Sequence, residues 1–229
     1  MKATQTLPST YILYEDFRPS SWRVTHWVTW IFGVALAGLS LGSLRRLAEI
    51  LRPEFQPKRL HLEVPTLERL GSILVLILFL AIIFAVHELI HAIFLWFFTG
   101  HRPTLVAGGG GLALRLPSWY IPRDQFLVTN LAPFCLMSLA GLLLLPIVPQ
   151  NQLSLVVFLT AMNMAGSIAD ITSSAYLLLH PRSIYVEAGQ LGIYLDGRIG
   201  PNSVPAWKLR IRSSIEAAIA RLDPRSGPG

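Results

Sequence analysis

Between residues 70 and 100 the chain carries one charged residue, Glu88, in an otherwise apolar run whose first half includes SILVLILFLAIIFAV. Roughly 20 apolar residues suffice to cross the hydrocarbon of a bilayer as a helix, and a segment there must satisfy its backbone polar groups internally. Few folds meet that condition. Three further stretches share the character: residues 22–44, ending at Arg45 and Arg46; residues 126–149, with LMSLAGLLLL; and residues 152–180. Their apolar positions fall on every side of a helix, unlike the one-sided pattern of a soluble helix. The short connection at 146–151 predicts an antiparallel hairpin of the third and fourth segments. Composition agrees, with 52% hydrophobic and 14% charged residues, against about 25% charged in soluble domains. This composition speaks against an ordinary soluble enzyme and excludes disorder for most of the chain. The expected fold class is an all-α membrane protein with four transmembrane helices.

Three regions are expected: a polar N-terminal segment (1–21), a transmembrane domain (22–180, the second span at 70–99) and a tail (181–229). GGGG at 108–111, followed by LALRLPSWYI, reads as a short β-hairpin or re-entrant loop with Trp119 and Tyr120 at interface level. In the tail, IYVEAGQLGIYL (184–195) reads as two short strands around Gly189. WKLRIRSSIEAAIARL (207–222) reads as a basic amphipathic helix for a membrane or protein surface. The first 20 residues lack the apolar core of a cleavable signal peptide. With four spans both termini share a side, and that side holds 13 of the 19 Lys and Arg residues (Lys2, Arg18, Arg23, Arg102, Arg115, Arg123 and seven after 180). The excess predicts a cytoplasmic face, in a bacterial cell membrane. A net charge of +6 on such a chain points to anionic lipid headgroups, with no nucleic acid as partner. The single cysteine, Cys135, excludes an intrachain disulfide and any cysteine zinc cluster.

An ionisable group inside an apolar span is a functional hypothesis by default. The spans hold two internal carboxylates, Glu88 and Asp170. Glu88 lies in His87-Glu88-Leu89-Ile90-His91, an H-E-x-x-H pattern. Residues i and i+4 share a helix face, so the two imidazoles can reach one zinc ion. Glu88 points about 100° away, which suits a general base acting on a metal-activated water. A catalytic zinc needs a third protein ligand. Asp170 qualifies by depth: it and His87 both lie roughly 25 Å along their helices from the same face, at 1.5 Å per residue. It also continues a polar stripe of Asn163, Ser167 and Ser174, with Gly166 permitting close helix approach.

The other candidates have plainer readings. His26 is expected at the interface, His61 and His101 in solvated loops, and His180 on carbonyls or headgroups at a span end. Asp196, in Leu195-Asp196-Gly197, reads as a turn aspartate. Asn130, in NLAPF, either caps a Pro-kinked helix or stabilises an oxyanion, the cap being favoured.

H-E-x-x-H inside one span and an aspartate in a later one resemble the site-2 protease superfamily of intramembrane zinc metalloproteases. HELIHAIFLWF (87–97), the GGGG loop, NLAPF (130–134) and NMAGSIAD (163–170) are closer still to a bacterial family of multi-pass zincin peptidases that carries only a domain-of-unknown-function label. The resemblance covers residues 70–180. It implies zinc held by His87, His91 and Asp170, with Glu88 as catalytic base, cutting peptide bonds at or in the membrane. One departure is plain: site-2 proteases carry the aspartate in an L-D-G-type segment within a span. Here the span reads SIADITSS and the L-D-G lies in the tail. The expected function is a membrane zinc metalloendopeptidase whose substrates are membrane or juxtamembrane protein segments. The alternatives are a non-catalytic zinc-binding scaffold or inactive protease homologue and, ranked lower, a small ion or proton transporter.

Overall fold

The computed structural model describes residues 1–16, 22–54, 67–108, 111–116, 118–188, 192–198 and 213–214. The chain is mostly helical: α1 (Trp22–Leu51), α2 (Leu67–Thr99), α3 (Arg123–Leu144), α4 (Gln150–Gly166) and α5 (Ile168–Leu178). Among the described residues three helices are long and apolar enough to cross a membrane. There are four if the bent pair α4 and α5 counts as one span. The sequence predicts that fourth segment as one continuous helix. The structure breaks it at Ser167 with a bend of 41°. The cause is local: Gly166 and Ser167 form a Gly/Ser pair, and the Ser167 hydroxyl bonds back to the Asn163 carbonyl at 2.9 Å, a combination that bends helices.

Among the described residues six strands accompany the helices: β1 (Tyr11–Asp16), β2 (Thr104–Gly108), β3 (Gly111–Arg115), β4 (Tyr120–Pro122), β5 (Tyr185–Glu187) and β6 (Gly192–Asp196). β2 and β3 form the predicted hairpin. β5 and β6 are the two strands expected between 184 and 195. They do not form a free-standing tail, however: they sit at the centre of a four-stranded antiparallel sheet ordered β1-β6-β5-β4. The all-α expectation is corrected to that extent. β1 falls in the stretch read as a polar N-terminal segment, and it pairs with β6 from Tyr11 opposite Asp196 to Asp16 opposite Gly192, with an irregularity at Tyr14. Beyond β4, Thr4 pairs with Tyr120 through two main-chain bonds of 3.0 and 2.8 Å. The amphipathic helix expected at 207–222 lies outside the described residues apart from 213–214, as do His61 and the turn at Gly189.

Two compact units divide the chain. The first takes Met1–Trp30, His91–Leu131 and Ala169–Gly229. Its core joins Leu95, Phe126 and Leu177 of the helices to Ile121, Val186, Ile193 and Leu195 of the sheet. Buried Arg123 fixes the end of α5 here, donating to the His180 carbonyl at 2.6 Å. The second takes Ile31–Ile90 and Ala132–Ile168, around Leu44, Ala48, Leu145, Leu153, Val157 and Ala161. In it α3 and α4 touch at Gly141, where an added Cβ would stand 2.1 Å from the Thr160 Oγ1. Arg52, after α1, donates to the carbonyls of Pro146 and Val148 in the α3–α4 turn. Many apolar side chains of α2 face outward: Leu74, Ile77, Leu78 and Phe97 are all exposed.

Candidate metal centre

Helix α2 has no proline, and its one glycine, Gly71, lies near its start. Its end is set by Gly100, whose φ of +72° is the left-handed conformation glycine takes at helix C-termini. The Gly100 N–H closes the last turn on the Trp96 carbonyl at 2.7 Å. His87 and His91 therefore stand one turn apart on an unbroken helix, His87 buried and His91 half-buried. The break at Ser167 starts α5 at Ile168, which puts Asp170 in its first turn, where the helix dipole favours a negative charge.

His91 Nε2 lies 3.5 Å from Asp170 Oδ2. That distance suits a direct imidazole–carboxylate pair, and equally two ligands of one zinc. Bonds of about 2.0–2.1 Å in a tetrahedron place ligand atoms about 3.4 Å apart. His87 joins the pair: one ligand atom from each of His87, His91 and Asp170 lies within 4.8 Å of the others, so the three could hold one metal ion. Two imidazoles and a carboxylate form the donor set of a zinc site with a position open for water.

The next layer of contacts fixes which nitrogen each imidazole presents. His87 Nδ1 meets Asn163 Oδ1 at 3.2 Å, and His91 Nδ1 meets the Thr129 carbonyl at 2.9 Å. Both partners are carbonyl oxygens and can only accept, so each Nδ1 carries the proton. The lone pair is then on Nε2, the arrangement metal-binding histidines use. Asn163 is 2% exposed, and its amide nitrogen is buried without a hydrogen-bond partner among the described residues. The Asp170 turn is braced as well: Asn130 Nδ2 donates to Ser173 Oγ at 3.0 Å, and the Ser173 hydroxyl to the Asp170 carbonyl at 3.1 Å. Asn130 is thus no helix cap, because α3 begins at Arg123 and runs through it. Glu88 follows His87 on α2, half-buried, outside the cluster of three.

The remaining candidates lie elsewhere. Asp196 ends β6, and both its oxygens take bonds from the Arg198 side chain. This guanidinium holds its carboxyl down at about 2; the residue expected in a turn is the last of the strand, and the turn follows it at Gly197. His180 is buried, with Nδ1 on the Tyr176 carbonyl at 3.1 Å. His101, expected in solvent, is exposed but packs against Trp119, the rings tilted at 45° with centroids 4.8 Å apart. The side chain of His26 lies outside the described residues. Reasoning from the sequence placed Asn163 on the polar stripe without giving it a partner, and it missed Thr129 and Ser173. A main-chain acceptor such as Thr129 has no side-chain signature.

No curated protein and no solved structure matches the chain significantly. A family model described as "Putative zincin peptidase" matches residues 80–185. Zinc is the metal that description implies, and the matched stretch contains His87, Glu88, His91, Asn163 and Asp170. Over those residues the chain is similar to the zincin peptidases.

Proposed function

We propose that the chain is a membrane-embedded zinc metallopeptidase that hydrolyses peptide bonds in membrane or juxtamembrane segments of other proteins. The observation that carries the reading is the convergence of His87, His91 and Asp170 within 4.8 Å. The zincin match over residues 80–185 supports the chemistry. The outward-facing apolar side chains of α2 support the bilayer, since soluble proteins rarely leave such a surface uncovered. In this reading both termini lie on the cytoplasmic side, by the excess of Lys and Arg there.

Zinc held by these three residues supplies Lewis acidity, lowering the pKa of a water towards neutrality and polarising the scissile carbonyl. Asn163 and the Thr129 carbonyl hold the two imidazoles with Nε2 presented. Glu88 takes a proton from the attacking water as its oxygen bonds to the carbonyl carbon. When the carbon–nitrogen bond breaks, Glu88 returns that proton to the leaving amine. The substrate segment must be locally unwound, because a helix keeps its carbonyls in its own hydrogen bonds.

The test uses the full chain purified in detergent, with metal content measured by mass spectrometry and cleavage followed on fluorescein-labelled casein. The wild type is expected to hold one zinc per chain and to cut. Glu88→Gln is expected to keep the zinc and lose at least about 10²-fold in rate, the usual contribution of a general base. Cleavage at the wild-type rate by Glu88→Gln, or zinc far below one per chain in the wild type, would overturn the proposal.

A further inference from the structure

Helix α3 contains Pro133, fully buried, in its interior. In an uninterrupted α-helix the N–H of residue 133 would donate to the carbonyl of residue 129. Proline has no N–H, and its ring crowds the carbonyl four residues back, tilting it away from the helix axis. The carbonyl that loses its donor belongs to Thr129, the same one that accepts His91 Nδ1–H at 2.9 Å. The Thr129 hydroxyl does not compete for this role, since it donates to the Gln125 carbonyl at 3.0 Å. A proline is costly in a helix interior, and this one sits where the missing bond serves a candidate metal ligand.

We infer that Pro133 is a positioning residue for the metal centre: by deleting one helix hydrogen bond it turns the Thr129 carbonyl over to His91. The bond then fixes the imidazole as its Nδ1–H tautomer and presents Nε2 towards Asp170. The inference rests on the metal reading above and concerns how His91 is oriented. A proline that served only to kink α3 would leave His91 indifferent to its replacement.

Pro133→Ala restores the N–H that competes for the Thr129 oxygen. With the full chain in detergent micelles, zinc affinity is measured by chelator competition, and the His91 tautomer by ¹⁵N NMR of histidine-labelled, metal-free protein. The His91 signal is assigned by its loss in His91→Gln. The variant is expected to keep or gain helix by circular dichroism, to bind zinc about tenfold or more weakly, the usual cost of losing such a contact, and to lose the exclusive Nδ1–H tautomer. Wild-type zinc affinity and tautomer in Pro133→Ala would sink the inference and leave the metal reading standing. A wild type without stoichiometric zinc removes both. If the variant does not fold, the wild-type spectrum decides alone: Nδ1–H on His91 supports the inference, and Nε2–H overturns it.

Discussion

Asp196 and Asp170 show how neighbours decide what a carboxylate can do. Asp170 lies near two imidazoles with lone pairs on Nε2. Asp196, buried at the end of β6, is bound by the exposed Arg198 guanidinium and by the Arg198 main-chain N–H. Those bonds stabilise its charged form and hold it at about 2, against an ordinary 3.8. A carboxyl whose folded value is depressed adds stability above its unfolded value, and that stability is lost as pH falls towards the folded one. Asp196→Asn is therefore expected to melt below the wild type at neutral pH. The gap in Tm should close between about pH 4 and about pH 2, as followed by circular dichroism at each pH. A gap unchanged across that window would show that Arg198 does not stabilise the fold through charge. At this scale the candidate site was partly legible. The i, i+4 histidines follow from helix geometry, and the equal depth of Asp170 follows from the rise per residue. The Thr129 contact was not legible, because it depends on a bond that Pro133 fails to make.

Among the elements, the contrast between glycines separates packing from propensity. At Gly141 an added Cβ meets three atoms of Thr160 under 3 Å, including its Cβ at 2.9 Å, so the side chain cannot swing clear. Thr160 is also buried and donates to the Val156 carbonyl at 2.8 Å. Gly38, on α1, meets nothing within 4 Å. Gly141→Ala is expected to cost about 1–3 kcal/mol through overpacking. Gly38→Ala is expected to be neutral or to gain up to about 1 kcal/mol of helix propensity. Unfolding of both variants in mixed micelles checks the pair, and equal stabilities would remove the close contact of α3 with α4. The apolar helices were legible because their length and hydrophobicity are properties of the segment itself. The bend at Ser167 was less so, since the apolar run continues on both sides of it and only the Gly166–Ser167 pair marks the place.

For the molecule as a whole, the sheet depends on residues far apart in the chain. Residues 1–16 supply the pairing on both of its edges: β1 beside β6, and Thr4 beside Tyr120 of β4. Side chains reinforce the link, with the Tyr11 hydroxyl donating to the Ser183 carbonyl and the Tyr185 hydroxyl to the Lys2 carbonyl, both at 3.3 Å. Deleting residues 1–16 is expected to bare both edges and cause self-association in detergent, read by light scattering. A deletion variant that stays monodisperse would make the segment dispensable. β1 escaped the sequence reading because Ile12 and Leu13 are both exposed, so YILYED lacks the alternation of a half-buried strand, and its partner lies near the opposite end of the chain. That separation also orders events during synthesis. A ribosome delivers Tyr11 early and Asp196 only after every described helix from α1 to α5 has been made. β1 must therefore wait without its partner until β6 emerges, and the sheet is completed last.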